Sequence, residues 1–158
     1  MTRAFLAVGS NLGDRHAHLQ SAVDFLGAAP GVSVRAVSAV YETDPVGGPV
    51  QADFLNAVVE IETDLAPYDL LAVAQRAEQA ADRVRLERWG PRTLDVDIVL
   101  VDGIEMNDPD LTIPHPRFSE RGFVLAPLHD LDPGIVEVPA DGWSGLRRIA
   151  RGLEIPTP

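Results

Sequence analysis

The stretch Leu94-Asp95-Val96-Asp97-Ile98-Val99-Leu100 limits what this chain can fold into more than any other. Apolar and acidic residues alternate there with the period of a β-strand. Such a strand sends Leu94, Val96, Ile98 and Leu100 into a core and presents Asp95 and Asp97 together on the opposite face, their Cα atoms about 7 Å apart. Two carboxylates so close on a rigid strand repel and by themselves destabilise a sheet. Outward charges can guard an edge strand against aggregation; alternatively, a divalent cation can sit between the pair. Hard carboxylate oxygens suit magnesium, which keeps waters and accepts phosphate oxygens as its remaining ligands.

Hydrophobic periodicity supplies the elements around that strand. Phe5 to Val8 reads as a short buried strand stopped by Gly9-Ser10-Asn11. Asp14 then caps a helix running to Leu26, with Leu19, Ala22, Val23 and Leu26 on one face. Val32 to Tyr41 alternates as one long strand, and Phe54 to Glu62 as another, with Leu55, Ala57, Val59 and Ile61 sharing a face. Pro67 opens a second helix that carries Leu70, Leu71, Ala74, Ala77, Ala81 and Val84 at helical spacing. After Val101 come Pro114-His115-Pro116, a short segment from Ser119, and a final amphipathic helix with Leu146 and Ile149. The order strand, helix, strand, strand, helix, strand predicts an α+β, ferredoxin-like antiparallel sheet with helices packed on one face and a C-terminal extension. The second sheet face is then open to carry a site. A length of 158 residues suits one domain, 1–158.

Composition narrows the partners. The net charge of −11 argues against nucleic-acid binding, which relies on broad basic surface. No apolar run approaches the roughly 20 residues of a membrane span, and the first residues are apolar too briefly for a signal peptide. The absence of cysteine fits a reducing compartment. A soluble, cytoplasmic monomer is the expectation. Every basic residue is arginine, and Arg76, Arg83, Arg85, Arg88 and Arg92 crowd one stretch just before the paired aspartates. That cluster is either a solvated helix face or the counter-charge for a compact polyanion such as a nucleoside triphosphate. Metal plus several guanidinium groups is the apparatus of phosphoryl transfer. The chain has no Gly-x-x-x-x-Gly-Lys-Ser/Thr, and Gly9-Ser10-Asn11-Leu12-Gly13 lacks the lysine of a P-loop and reads as a strand-to-helix turn.

Longer motifs make the reading specific. Arg83-Val84-Arg85, Arg88-Trp89-Gly90-Pro91-Arg92-Thr93-Leu94-Asp95-Val96-Asp97, Pro114-His115 and Arg121-Gly122-Phe123 resemble the 6-hydroxymethyl-7,8-dihydropterin pyrophosphokinase family of folate biosynthesis. Ala7 to Gly13 and Phe54-Leu55-Asn56 match as well, so the similarity runs from residue 4 to about residue 128. The resemblance implies transfer of the β,γ-pyrophosphoryl unit of ATP to a reduced pterin, with release of AMP. It implies two magnesium ions on Asp95 and Asp97, with Asp95 also near the incoming hydroxyl. Arg83 and Arg92 would hold the β- and γ-phosphates and offset transition-state charge, while Arg85, Arg121 and His115 would hold the phosphate chain. Gln75, Ile98 and Thr112 would meet the nucleotide near adenine, and Glu78, one helical turn after Gln75, would support them. Phe54 and Phe123 would stack on the pterin and Asn56 would read its edge. Thr43, Asp44 and Val46 would add loop contacts. The segments Asp44 to Val50 and Leu86 to Pro91 would close over the site with Trp89 as an apolar lid. Departures from the family pattern are Asp82, where glycine is frequent, and Asp110, where some relatives carry a basic residue.

Overall fold

A computed structural model describes residues 1–43, 53–81, 93–140 and 142–156. An antiparallel sheet is built on β1 (Thr2–Ser10), whose neighbours are β4 (Phe54–Thr63) on one side and β5 (Asp95–Val101) on the other. Two shorter strands, β2 (Val32–Val37) and β3 (Tyr41–Thr43), follow each other along the outer side of β4. Helices α1 (Arg15–Ala28) and α2 (Pro67–Ala81) lie on one sheet face. The side chain of Asp14 accepts the backbone N–H of Ala17 at 3.1 Å, as the capping signal predicts. Leu19, Ala22, Val23 and Leu26 of α1 are buried against Leu6, Val8, Ala57, Val59, Ile61, Val96 and Ile98 of the sheet.

Four expectations need correction. The long strand from Val32 breaks at Ser38: the Ser38 hydroxyl takes the Val58 N–H at 2.9 Å and donates to the Ala39 carbonyl at 2.7 Å, replacing regular strand pairing. Alternation in the central motif ends after Ile98. Phe5 pairs with Leu100 but Leu6 with Ile98, so Val99 is an extra residue, and Leu100 turns away from the main core to the opposite cluster. The final helix does not exist. Leu146–Arg148 instead forms a strand, β8, antiparallel to β3, because the open edge of β3 supplies backbone partners that a segment flanked by Gly145 and Gly152 lacks on its own.

The fourth correction concerns the second sheet face. Helix α3 (Gly122–Leu131) packs there, its Val124 and Leu128 joining Phe5, Val58 and Val99 in a second apolar cluster. Helices therefore cover both faces, one of them in part. Tyr41 donates from its hydroxyl to Asp130 at 2.8 Å, fixing the far end of α3 to β3. A small hairpin, β6 (Met106–Asn107) with β7 (Thr112–Ile113), follows β5. No helix among the described residues is long and apolar enough to cross a membrane.

Candidate active site

Cross-strand register lays out the site as two rows on the face that α3 only partly covers. Asn56 of β4 pairs with Gly9 of β1, and Gly9 with Asp95 of β5. One step further along, Val58 pairs with Ala7, and Ala7 with Asp97. Residues directly opposite point to the same face, so the sheet presents an amide at one side and two carboxylates at the other, with only Gly9 and Ala7 between. Where the next row turns apolar, with Phe5 and Val99, α3 closes over it. Gly9 is thus a site residue inside β1 rather than the turn its sequence suggests. A Cβ added there would lie 2.8 Å from Asn56 Oδ1. The missing side chain is what lets the Asn56 amide lie across the strand.

A cavity of about 650 Å³ stands over these rows. Of the sequence-predicted residues, Thr43, Phe54, Asn56, Asp95, Asp97, His115, Arg121 and Phe123 all line it. Asp95 is half-buried and Asp97 exposed. Asn56 is buried, and its Nδ2 has no hydrogen-bond partner, an unusual state for a buried donor. The Arg121 guanidinium stands 5.6 Å from the centre of the Phe123 ring.

His115 reaches the cavity because its backbone N–H donates to the Val99 carbonyl at 2.9 Å, docking the Pro114-His115 segment on the outer edge of β5. Its Nδ1 accepts the Arg117 N–H at 3.2 Å. The neutral ring therefore carries its proton on Nε2, available to an anionic oxygen. Burial holds the imidazole below its ordinary pKa; Asp97 opposes that shift, while Arg121 and Arg117 reinforce it. Those three charges converge on one ring at the carboxylate end.

Arg117 also lines the cavity and was missed in the sequence. Its only signal was a cation two places after the histidine. Gln75, Ile98 and Thr112 do not line the cavity. Ile98 packs its side chain into the main core, Gln75 is exposed on α2, and the Thr112 hydroxyl points to the Asp108 carbonyl at 3.4 Å. Glu78 accepts the Val96 N–H at 2.9 Å, a support for β5 itself. The readings on Asp44, Val46, Arg83, Arg85, Trp89 and Arg92, and on both closing segments, lie outside the described residues.

Among the described residues no three acidic or histidine side chains cluster as a metal cage. Two carboxylates flanked by small residues still form a donor set of the kind that magnesium shares with water and phosphate.

Comparison with known proteins identifies the family. The family described as 7,8-dihydro-6-hydroxymethylpterin-pyrophosphokinase (HPPK) matches residues 5–133. The 2-amino-4-hydroxy-6-hydroxymethyldihydropteridine pyrophosphokinase of Methylorubrum extorquens is 48% identical over 136 residues, 86% of each chain. Its namesake from Bacillus subtilis is 49% identical over 128 residues, 81% of this chain and 77% of that one. The solved Plasmodium falciparum HPPK-DHPS superposes with a TM-score of 0.62 at 15% identity, over 84% of this chain and 38% of that longer one, a likeness of fold. With the family matching residues 5–133 and both of these relatives carrying the same name, this chain belongs to the 6-hydroxymethyl-7,8-dihydropterin pyrophosphokinase family.

Proposed function

We infer that the chain transfers pyrophosphate from ATP to 6-hydroxymethyl-7,8-dihydropterin, giving AMP and the pterin diphosphate in folate biosynthesis. The observation that carries the reading is the polarity of one cavity. Two carboxylates and His115 stand on its β5 side, an unsatisfied buried amide and Phe54 on its β4 side, and Arg121 and Phe123, 5.6 Å apart, flank the start of α3.

At the pterin end, the Asn56 Nδ2 donor gains the acceptor it lacks when a ring edge meets it. Phe54 and Phe123 supply apolar faces for a flat heterocycle. At the phosphate end, His115 Nε2–H and the Arg121 guanidinium donate to phosphate oxygens and hold the chain in line with the incoming hydroxyl. Asp95 and Asp97 are the residues that would hold two magnesium ions. A metal held there would supply charge neutralisation for the phosphates and so lower the barrier to displacement. Asp95, in the same row as Asn56, is also the carboxylate closest to the pterin side. The edge of β5, with Ile98, Thr112 and Gln75 around it, is our assignment for the adenine. Arg83, Arg85 and Arg92 remain our assignments for the β- and γ-phosphates, on the motif that carries them.

The strand order β5-β1-β4, with β2 and β3 on the far side of β4 and β8 added beyond β3, supports a ferredoxin-like core. Residues 1–158 act in this account as one pyrophosphokinase domain, a cytoplasmic monomer.

Asp97→Asn tests the site assignment, because it keeps the shape and removes one carboxylate charge. Turnover at fixed magnesium falls by about 10² to 10³, the scale for losing a group that stabilises developing charge. Pterin binding, followed by calorimetry, persists. Full turnover by Asp97→Asn at ordinary magnesium would contradict the assignment.

A further inference from the structure

Strand β8 lies beyond residues 5–133, the part of the chain that the family match covers, yet it pairs with a wall of the cavity. Thr43 is opposite Leu146, Glu42 opposite Arg147 and Tyr41 opposite Arg148. Opposed residues share a face, so Leu146 and Arg147 serve different faces of β3. Leu146 is on the cavity side, where its Cδ1 comes within 3.7 Å of a Cβ built on Gly122, the first residue of α3 and a lining residue. It therefore sits between Thr43 and the start of α3.

Arg147 works on the other face. Its Nη2 donates to Asp53 Oδ2 at 2.7 Å and reaches Glu42 Oε1 at 3.4 Å. Arg15 at the start of α1 donates to Glu42 Oε2 at 2.7 Å and to the Asp53 carbonyl at 2.8 Å. Glu42 and Asp53 directly flank Thr43 and Phe54, which pair across β3 and β4 and both line the cavity. Two guanidinium groups thus bracket the pair from below while Leu146 braces it from above. Trp143, just upstream, packs on the second apolar cluster and meets His129 of α3 edge-on at 6.3 Å. None of these contacts touches Asp95, Asp97 or His115.

We propose that the C-terminal strand is a positioning element for the pterin end of the cavity. Arg147 sets the placement of Thr43 and Phe54 through Glu42 and Asp53, and Leu146 sets that of Gly122 and Phe123. The proposal rests on the pyrophosphokinase reading and extends it to residues outside the family-matched region. Arg147 is half exposed, and exposed ion pairs contribute little to global stability, so its variants fold.

The test is calorimetric binding of 6-hydroxymethyl-7,8-dihydropterin to wild type, Arg147→Gln and Leu146→Ala, each with magnesium and a non-hydrolysable ATP analogue. The analogue's own affinity is measured alongside. Each variant binds the pterin about fivefold more weakly, the scale of an indirect positioning effect, and Arg147→Lys recovers part of the loss. For Arg147→Gln, affinity for the analogue stays within about twofold of wild type, because Glu42 and Asp53 touch none of the described phosphate-end residues; Leu146→Ala weakens the analogue less than it weakens the pterin, since Arg121 adjoins Gly122. Unchanged pterin affinity in both variants overturns the proposal. So does equal weakening of both ligands, the mark of a general structural role. Failure of wild type to bind the pterin would sink the pyrophosphokinase reading, and this inference with it.

Discussion

Gly9→Ala is the smallest perturbation that separates the geometry of the site from its chemistry. The added Cβ falls 2.8 Å from Asn56 Oδ1, while an unstrained carbon–oxygen contact needs about 3.3 Å. Something must move by roughly 0.5 Å, which is the tolerance of a preorganised binding group. The backbones of β1 and β4 are locked by their pairing over nine residues of register, so the Asn56 amide is what yields. That amide is the group assigned to the pterin edge. Misplacing one hydrogen-bonding group costs about 1 kcal/mol of binding, while the crowding, present with and without ligand, costs about 1 kcal/mol or more of folding stability. Pterin affinity therefore falls about fivefold, while affinity for an ATP analogue is unchanged. Calorimetry with each ligand separately measures this, and a double-variant cycle sharpens it. Once Asn56→Ala has removed the amide, adding Gly9→Ala costs little more, because the clash has no partner left. Pterin binding unaffected by Gly9→Ala, or equal additional loss in the Asn56→Ala background, would refute the reasoning.

Two further outcomes follow from named contacts. Burial, aided by the hydrogen bond to Asp130, pushes the Tyr41 hydroxyl up to about 12. A raised native value means that its stabilisation is complete below the ordinary phenol value of about 10 and is lost as pH rises toward about 12. Melting temperatures across that window should therefore drop more steeply for wild type than for Tyr41→Phe; parallel curves would count against it. Arg117 shares the cavity rim with His115 and Arg121. Arg117→Gln raises KM for ATP roughly fivefold at low salt and less at high salt, with kcat and pterin KM unchanged.

What could be read in the sequence was what depends on neighbours along the chain. The four buried positions of α1 and its Asp14 cap come from local periodicity and one short-range bond. So does the shared face of Asp95 and Asp97, two residues apart in β5. What could not be read depends on other segments. Leu100 leaves the core because β1 and β5 differ in register by one residue, which no pattern within β5 reveals. Leu146–Arg148 is a strand only because β3 has an open edge. Gly122 and Pro127, poor helix residues, mask α3, which forms by packing Val124 and Leu128 on the sheet. The site divides the same way. The carboxylates, Asn56, Phe54 and Phe123 follow from motif and alternation. Gly9 matters through Asn56 on another strand, and Arg117 through the segment that docks His115 on Val99. Ile98 carries a motif position, yet its side chain belongs to the core.

The central claim is that one cavity holds a metal-bound triphosphate at its acidic end and a pterin at its amide end, so that the β,γ unit moves as one piece. The most direct measurement supplies ATP, magnesium and 6-hydroxymethyl-7,8-dihydropterin and identifies the products by ³¹P NMR and chromatography. The account predicts AMP and a pterin diphosphate in equal amounts, with neither formed when the pterin is omitted. ADP with a pterin monophosphate, or no reaction from well-folded protein, would contradict it.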